Sequence, residues 1–432
     1  MIIHTVRRGD TIFSVARAYG VPPTRVISDN LLTDPNRLAV GQDLVILYPT
    51  ATHTVVGGDT LASISARYGV TRLALYRNNP VLGGEPDIYP GQVLNIAYEA
   101  PPLGSLSTVG YAYPNIEPAA LRRTLPYLTY LSVFSTGIRP DGTLIAPSGE
   151  EFLIGEAGEY GAEALLVLTS LTEGGTFSAE LAARVLGDPD LSAAVTEAVV
   201  RAVTEKGYGG ADVDFEYIPA EYADAYARFL GGLRDALPES MPLFVSLAPK
   251  VRRDQPGLLY EAHDYRALGA AADRALLMTY EWGYTYGPPL AVAPLGEVRR
   301  VVEYAVSEIE PEKLFLGMPN YGYDWALPYV RGESMARSLS NTAAVELALD
   351  RGAAISYDEA AASPTFSYYD RPRTYADAVE HVVWFENARS VEAKLRLARE
   401  FGFYGVGVWN IMRYFPSLWT VLNALFSIRK RG

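Results

Sequence analysis

Residues 209–218 read GGADVDFEYI, with carboxylates at 212, 214 and 216 set between apolar residues at 211, 213, 215 and 217. On an extended strand successive side chains take opposite faces, so Asp212, Asp214 and Glu216 share one face and Val213, Phe215 and Tyr217 the other. Successive acids then stand roughly 6.6 Å apart. The flanking Gly209-Gly210 and the apolar partners suit a central strand better than a solvated edge. Three carboxylates on a buried face must share protons or accept hydrogen bonds, because an unpaired buried charge is strongly unfavourable. Such coupling raises at least one pKa and keeps a carboxylic acid protonated near neutral pH, which is the requirement for a general acid.

Seven more strand-like runs surround this one, at 107–114, 127–136, 163–172, 242–249, 274–282, 313–323 and 403–411, with helix-like stretches such as 219–236 and 391–401 between them. Eight β-runs alternating with helices predict an α/β fold of the (β/α)₈ TIM-barrel type, with functional groups at the C-terminal ends of the strands. An open doubly wound sheet is the alternative, but no glycine-rich phosphate turn supports it. Helices cover the outer face of a parallel barrel, which directs the three acids inward. Residues 352–386 carry further strand-like runs and predict a small insertion between strands 7 and 8, leaving a shallow groove.

The 432 residues contain no cysteine and four scattered histidines, so thiolate chemistry is excluded and no HExxH pair exists. Carboxylates and tyrosines are left to carry any chemistry, and no metal and no cofactor is expected. A net charge of −13 argues against nucleic acid as a ligand. No apolar run is long enough to span a membrane, and the start MIIHTVRRGDT lacks the pattern of a secretory signal.

The N-terminal quarter is a tandem repeat. HTVRRGDTIFSVARAYGV (4–21) lies over HTVVGGDTLASISARYGV (53–70), and VGQDLVI (40–46) over PGQVLNI (90–96). Each unit reads as strand, helix, helix, strand, a small α+β module. Residues 1–98 hold eight Arg, no Lys and seven Asp or Glu, a net +1, so the acidic charge sits on the remainder. Units at 2–48 and 52–98, a linker at 99–106 (EAPPLGSL) and a barrel at 107–432 are the predicted domains.

The repeats resemble the lysin motif (LysM), a module that grips N-acetylglucosamine-containing glycans such as peptidoglycan and chitin. The resemblance implies sugar contacts at Gly9, Asp10, Thr11 and Asn30 in the first unit and Gly58, Asp59, Thr60 and Asn79 in the second. The same side chains also suit helix caps and turns. The acidic stretch resembles the family 18 glycoside hydrolase signature DGxDxDxE, and MTYEW (278–282), GMPNYGYDW (317–325) and VGVWN (406–410) agree with that family's later strand ends. With two LysM units ahead of it, the arrangement resembles bacterial spore cortex-lytic N-acetylglucosaminidases.

That resemblance implies retaining hydrolysis with the substrate's own acetamide as nucleophile, an exception to the usual two-carboxylate scheme. Glu216 would protonate the glycosidic oxygen, Asp214 hold the acetamide N–H, Asp212 share a proton with Asp214, and Tyr280 bond the acetamide carbonyl. Trp409 would floor the reacting sugar, with Phe134, Met278, Glu281, Asn320 and Tyr321 as further contacts. Two positions depart from the family pattern. Gly209 stands where the first signature Asp belongs, removing one acid from the ladder, and Glu281 replaces an Asp. The implied substrate is peptidoglycan, cut after N-acetylglucosamine, at a spore coat or cortex reached without a secretory signal. A chitinase, and an inactive glycan-binding coat protein, are the alternatives.

Overall fold

The computed structural model describes residues 1–99, 101–171, 176–370 and 378–430. Ala100 of the predicted linker, Thr172 of the third β-run, 371–377 of the predicted insertion and the final two residues lie outside the described residues. The barrel strands are β1 (Ser105–Ala112), β2 (Tyr130–Ile138), β3 (Glu163–Thr169), β4 (Gly210–Asp214), β5 (Leu243–Leu247), β6 (Arg274–Leu277), β7 (Leu314–Pro319) and β8 (Gly405–Trp409). Each pairs in parallel with the next, and β8 pairs with β1 to close the sheet. Each overlaps one of the runs read from the sequence, six lying wholly within them, while β1 begins two residues before its run and β2 ends two residues after. The predicted linker loses its last two residues to β1, where Ser105 and Leu106 pair with Ser427 and Ile428.

Alternation along the strands sorts side chains into two cores. Val109, Tyr111, Tyr130, Leu165, Val167, Phe244, Leu276 and Phe315 fill the barrel interior. Their neighbours in sequence, among them Leu166, Leu168 and Val245, together with Ala211 and Val213 on either side of Asp212, pack outward in the same core as helices such as Ala223–Ala236 and Leu295–Glu308.

The insertion between β7 and β8 starts at Gly322, not at 352. Its strands Gly322–Ala326, Arg337–Leu339, Ser356–Asp358, Ser363–Tyr369 and Glu380–Trp384 form one antiparallel sheet, packed against helix Asn341–Arg351. The sequence reading missed the first half because the GYDW run (322–325) was counted with β7. The insertion is therefore an α+β lobe, and the expectation of a short insertion confined to 352–386 is corrected.

Each N-terminal unit has the strand-helix-helix-strand order expected, Ile2–Thr5 pairing with Asp43–Ile46 and Ala51–Thr54 with Val93–Ala97. Neither unit hangs free. Val45 and Leu47 enter the main core, and the Thr420 hydroxyl donates to the Asp29 carbonyl. In the second unit Arg77 donates to the Pro126 carbonyl and Tyr160 to the Gly84 carbonyl.

The closing turns of the two repeats have different fates. In the first, Ala39 sits in the lobe's own apolar core, Ile355 N–H donates to the Val40 carbonyl at 2.8 Å, and a Cβ on Gly41 would stand 1.9 Å from the Ile355 oxygen. In the second, Tyr89 is exposed and a Cβ on Gly91 would meet nothing within 4 Å. Gly41 and Gly91 share a left-handed φ of 86° and 88°, so alanine meets the same backbone strain at both. Gly41→Ala is expected to lower stability by about 1–3 kcal/mol more than Gly91→Ala, the extra loss being the overlap with Ile355. Paired thermal melts check this, and equal losses would mean that the first repeat does not dock on the lobe in solution.

Candidate active site

Strand β4 ends at Asp214, and Glu216 lies in the turn just beyond it. Alternation holds as far as Phe215, whose fully buried ring stacks on Tyr226 and Phe229 of the covering helix at centroid distances of 5.8 and 5.7 Å. It fails at Tyr217. That residue has a left-handed φ of 58°, which reverses the chain and brings its ring to the cleft instead of the outer face.

Asp212 is wholly buried, its Oδ2 accepting from the Tyr111 hydroxyl at 2.7 Å and from Ser132 at 3.3 Å. The Oδ1 atoms of Asp212 and Asp214 have no hydrogen-bond partner, which is where an added proton or a substrate amide has to go. Burial pushes Asp212 up to about 6 against the pull of its hydroxyl partners. Burial, then the charges of Glu216 and Asp212, hold Asp214 well above the usual carboxylate range. Burial and the Glu281 charge raise Glu216 to about 7. At neutral pH Asp214 thus keeps a proton and Glu216 is still partly protonated, while Asp212 is mostly ionised, which meets the sequence requirement that at least one acid stay protonated.

Gly209 does not belong to this ladder. It precedes the strand, its N–H donating to the Ala164 carbonyl, and a Cβ there would lie 2.8 Å from the Glu163 Cβ. A side chain at 209 has the parity of Ala211 and Val213, pointing away from Asp212. The expectation that Gly209 removes an acid from the proton-sharing set is therefore corrected.

Two cavities meet at Glu216. One, of about 580 Å³, is lined by Tyr111, Tyr113, Phe134, Phe177, Asp214, Ser246 and Trp409; the other, of about 650 Å³, by Val251, Arg252, Gln255, Tyr260, Trp282, Tyr284, Glu297 and Arg300. Glu216, Tyr217, Met278, Tyr280 and Glu281 line both. Trp409 closes β8 and packs edge-on against Phe134 at 4.8 Å, with Tyr111 at 5.7 Å, so the first cavity is an aromatic box with Asp214 in its wall. Such boxes suit the apolar faces of sugar rings. Burial and then the Asp214 and Glu216 charges hold the Tyr280 hydroxyl well above its usual range, so it stays a donor.

Glu281 has a left-handed φ of 69°, an uncommon conformation for a residue with a side chain. Its carboxylate accepts hydrogen bonds from Tyr321 and, at 3.1 Å, from Tyr323, both at the root of the lobe. Tyr321 thus reaches the site through Glu281 and lines neither cavity. Asn320 is also moved from the contact set. Its side-chain amide donates to the Asn410 and Arg413 carbonyls, pinning the loop after Trp409.

Sequence reasoning passed over several residues. Tyr111, Ser132 and Tyr217 carry no motif, and only the barrel closure brings the first two to Asp212. His263 is fully buried, its Nδ1 accepting from the Ala248 N–H at 3.0 Å. That leaves the proton on Nε2, which donates to the Phe215 carbonyl at 3.2 Å, one residue before Glu216. Burial lowers His263 to about 4, so it is a neutral brace behind the acid.

In the repeats most of the candidate side chains are committed to the fold. Thr11 and Thr60 cap helices Ile12–Tyr19 and Leu61–Tyr68 in capping boxes with Ser14 and Ser63. Asp10 accepts from the Arg7 N–H and pairs with His4, as Asp59 does with Val56 and His53. Asn30 and Asn79 clamp the closing strands through Val45 and Asn95. Gly9 and Gly58 stand in open space, so the backbone of these loops is uncovered.

Among the described residues no helix is long and apolar enough to cross a membrane. The profile of Glycosyl hydrolases family 18 matches residues 167–413, and that of the LysM domain matches 4–47 and 53–97. The chain is 36% identical over 441 residues to the cortical fragment-lytic enzyme of Bacillus anthracis, covering 100% of this chain and 99% of that one. The crystal structure of the Bacillus cereus spore cortex-lytic enzyme SleL superposes with a TM-score of 0.84 at 35% identity, over 100% of this chain and 99% of that one. A chitinase structure from Chromobacterium violaceum matches with a TM-score of 0.67 at 25% identity, over 74% of this chain and 98% of that one.

Proposed function

This chain belongs to family 18 of the glycosyl hydrolases and carries two LysM domains, and from that membership we propose that it is a retaining N-acetylglucosaminidase of spore-cortex peptidoglycan. The observation that carries the reading is the position of Glu216 where two cavities join, with Asp214 and Trp409 in one of them and Tyr280, like Glu216, in the wall of both. N-acetylglucosamine occupies the aromatic box over Trp409. Its acetamide carbonyl oxygen, held by the Tyr280 hydroxyl, attacks the anomeric carbon as Glu216 gives its proton to the glycosidic oxygen and the C–O bond breaks. Asp214 accepts the acetamide N–H and offsets the charge of the oxazolinium ion, and Asp212 shares a proton with Asp214. Glu216, now a carboxylate, takes a proton from the water that opens the ring on the same face, and configuration is retained.

The LysM loops hold the glycan through their backbone groups, and the protein works at the spore cortex, the setting its full-length relatives' names describe. Chitin is the second reading, favoured by the barrel's likeness to a chitinase. The acetamide must lie on the sugar whose anomeric carbon is attacked, and a muramic δ-lactam has its nitrogen tied into a ring. Digestion of cortex fragments is therefore expected to leave new reducing ends that are N-acetylglucosamine. Muramic reducing ends would overturn the assignment.

A further inference from the structure

The cavity beyond Glu216 differs in kind from the aromatic box. The box, which takes the acetamido sugar, has no Lys or Arg among the described residues of its lining, whereas the second cavity is lined by Arg252 and Arg300 together with four tyrosines. This is notable on a chain of net charge −13. Neither guanidinium is locked. Arg252 pairs at 3.3 Å with Asp254 and Arg300 at 2.9 Å with Glu297, and all four side chains are substantially exposed. Exposed ion pairs of this kind contribute little, so either cation exchanges its partner readily for a better one. Glu297 lines the same cavity and keeps Arg300 partly neutralised, while Asp254 lies outside it, which makes Arg252 the less encumbered of the two. Gln255, also in the lining, is turned to the backbone, accepting from the Val251 N–H at 2.8 Å.

The cavity that alone holds Asp214 and Trp409 takes the sugar under attack, so the second cavity receives the leaving sugar. If the chain cuts after N-acetylglucosamine, as proposed above and on which this rests, that sugar is a muramic residue. Its 3-O-lactyl group ends in a carboxylate when free and carries one at the end of the attached peptide when substituted; a δ-lactam has none. We propose that Arg252, assisted by Arg300, recognises a carboxylate on the leaving muramic residue, making the two arginines specificity determinants. Bonds before carboxylate-bearing muramic residues are then cut faster than bonds before neutral ones. Guanidinium and carboxylate match in a bidentate geometry that neutral sugar hydroxyls do not offer.

The test uses the full-length protein and alternating N-acetylglucosamine–N-acetylmuramic acid tetrasaccharides in three forms, with lactyl carboxylates free, converted to methyl amides, or extended by L-alanine with its own free carboxylate. The wild type is expected to favour at least one charged form over the amide by roughly 10-fold in kcat/KM. Which form is favoured separates the lactyl carboxylate from the peptide carboxylate. In the Arg252→Gln, Arg300→Gln double variant that ratio should fall to near one, and Arg252→Gln alone should account for most of the fall. The ratio in the wild type should also shrink with added salt. A wild type without preference, or a double variant that keeps it, overturns the inference and leaves the proposed function standing. Cleavage of chitotetraose with none of the three muramyl substrates cut overturns the peptidoglycan reading and this inference together.

Discussion

Replacing Glu216 by Gln is expected to leave a folded protein that still binds glycan but turns over about 10²–10⁴-fold more slowly, the usual contribution of a positioned general acid. Gln fills the same volume and keeps a hydrogen-bonding end group, so the cavities on either side keep their shape; what it lacks is the proton. The pH profile supplies a second readout. Glu216 is raised to about 7 by burial and by the Glu281 charge. Its acid form is present below that value and lost above it, so wild-type kcat/KM should decline about tenfold per pH unit on the alkaline side of about 7. The residual activity of Glu216→Gln should lack that limb. Near-normal turnover, or an unchanged alkaline limb in the variant, would take the acid role away from Glu216.

Asp214→Asn should move activity and stability in opposite directions. In the proposed mechanism Asp214 takes the acetamide N–H and stabilises the positive charge of the cyclic intermediate, and loss of such a preorganised electrostatic contact lowers turnover by roughly 10²–10³-fold. Its stability effect follows from the direction of the pKa. Burial and two neighbouring acids hold the folded-state value well above the ordinary one, so the native state binds this proton more tightly than the unfolded chain does. Stability is then greatest below the unfolded pKa, is lost progressively as pH rises from about 4, and stays low once the folded group has also ionised. Asn does not titrate and removes that loss. The variant should therefore melt a few degrees higher than the wild type at pH 8 and close to it at pH 4. A variant less stable at pH 8 would show that the Asp214 charge is compensated in the native state.

The acid ladder was legible in ten residues because two local rules suffice for it, the two-residue period of a strand and the cost of burying charge. The same rules misplaced Tyr217, since the period ends where the strand ends and a left-handed residue follows. Asn320 and Tyr321 were found as neighbours of the site but assigned direct contact with sugar. Their hydrogen bonds run instead to the loop after Trp409 and to Glu281, partners far away in sequence. His263, 48 residues from the carbonyl it braces, left no signal. The lobe was half seen, because its first strand is separated from β7 by only two residues and was counted with it, although Pro319, Asn320 and Gly322 mark a break there.

What the sequence determined by itself was periodic or repeated: the eight barrel strands, the inward face carrying Asp212, Asp214 and Glu216, and two copies of one small module. Each follows from side-chain alternation, apolar patterning or self-similarity, which are properties of neighbouring residues or of repeats. Tertiary structure alone decided what each group meets. Closure of the barrel brings Tyr111 and Ser132 to Asp212 across a packed interior. It also sets an arginine-bearing cavity on one side of Glu216 and an aromatic one on the other. Docking on the lobe makes unequal partners of two nearly equal repeats, burying the turn at Gly41 and leaving that at Gly91 open. These outcomes depend on contacts between residues far apart in the sequence, and the desolvation that shifts the acids' pKa values exists only after those contacts have formed.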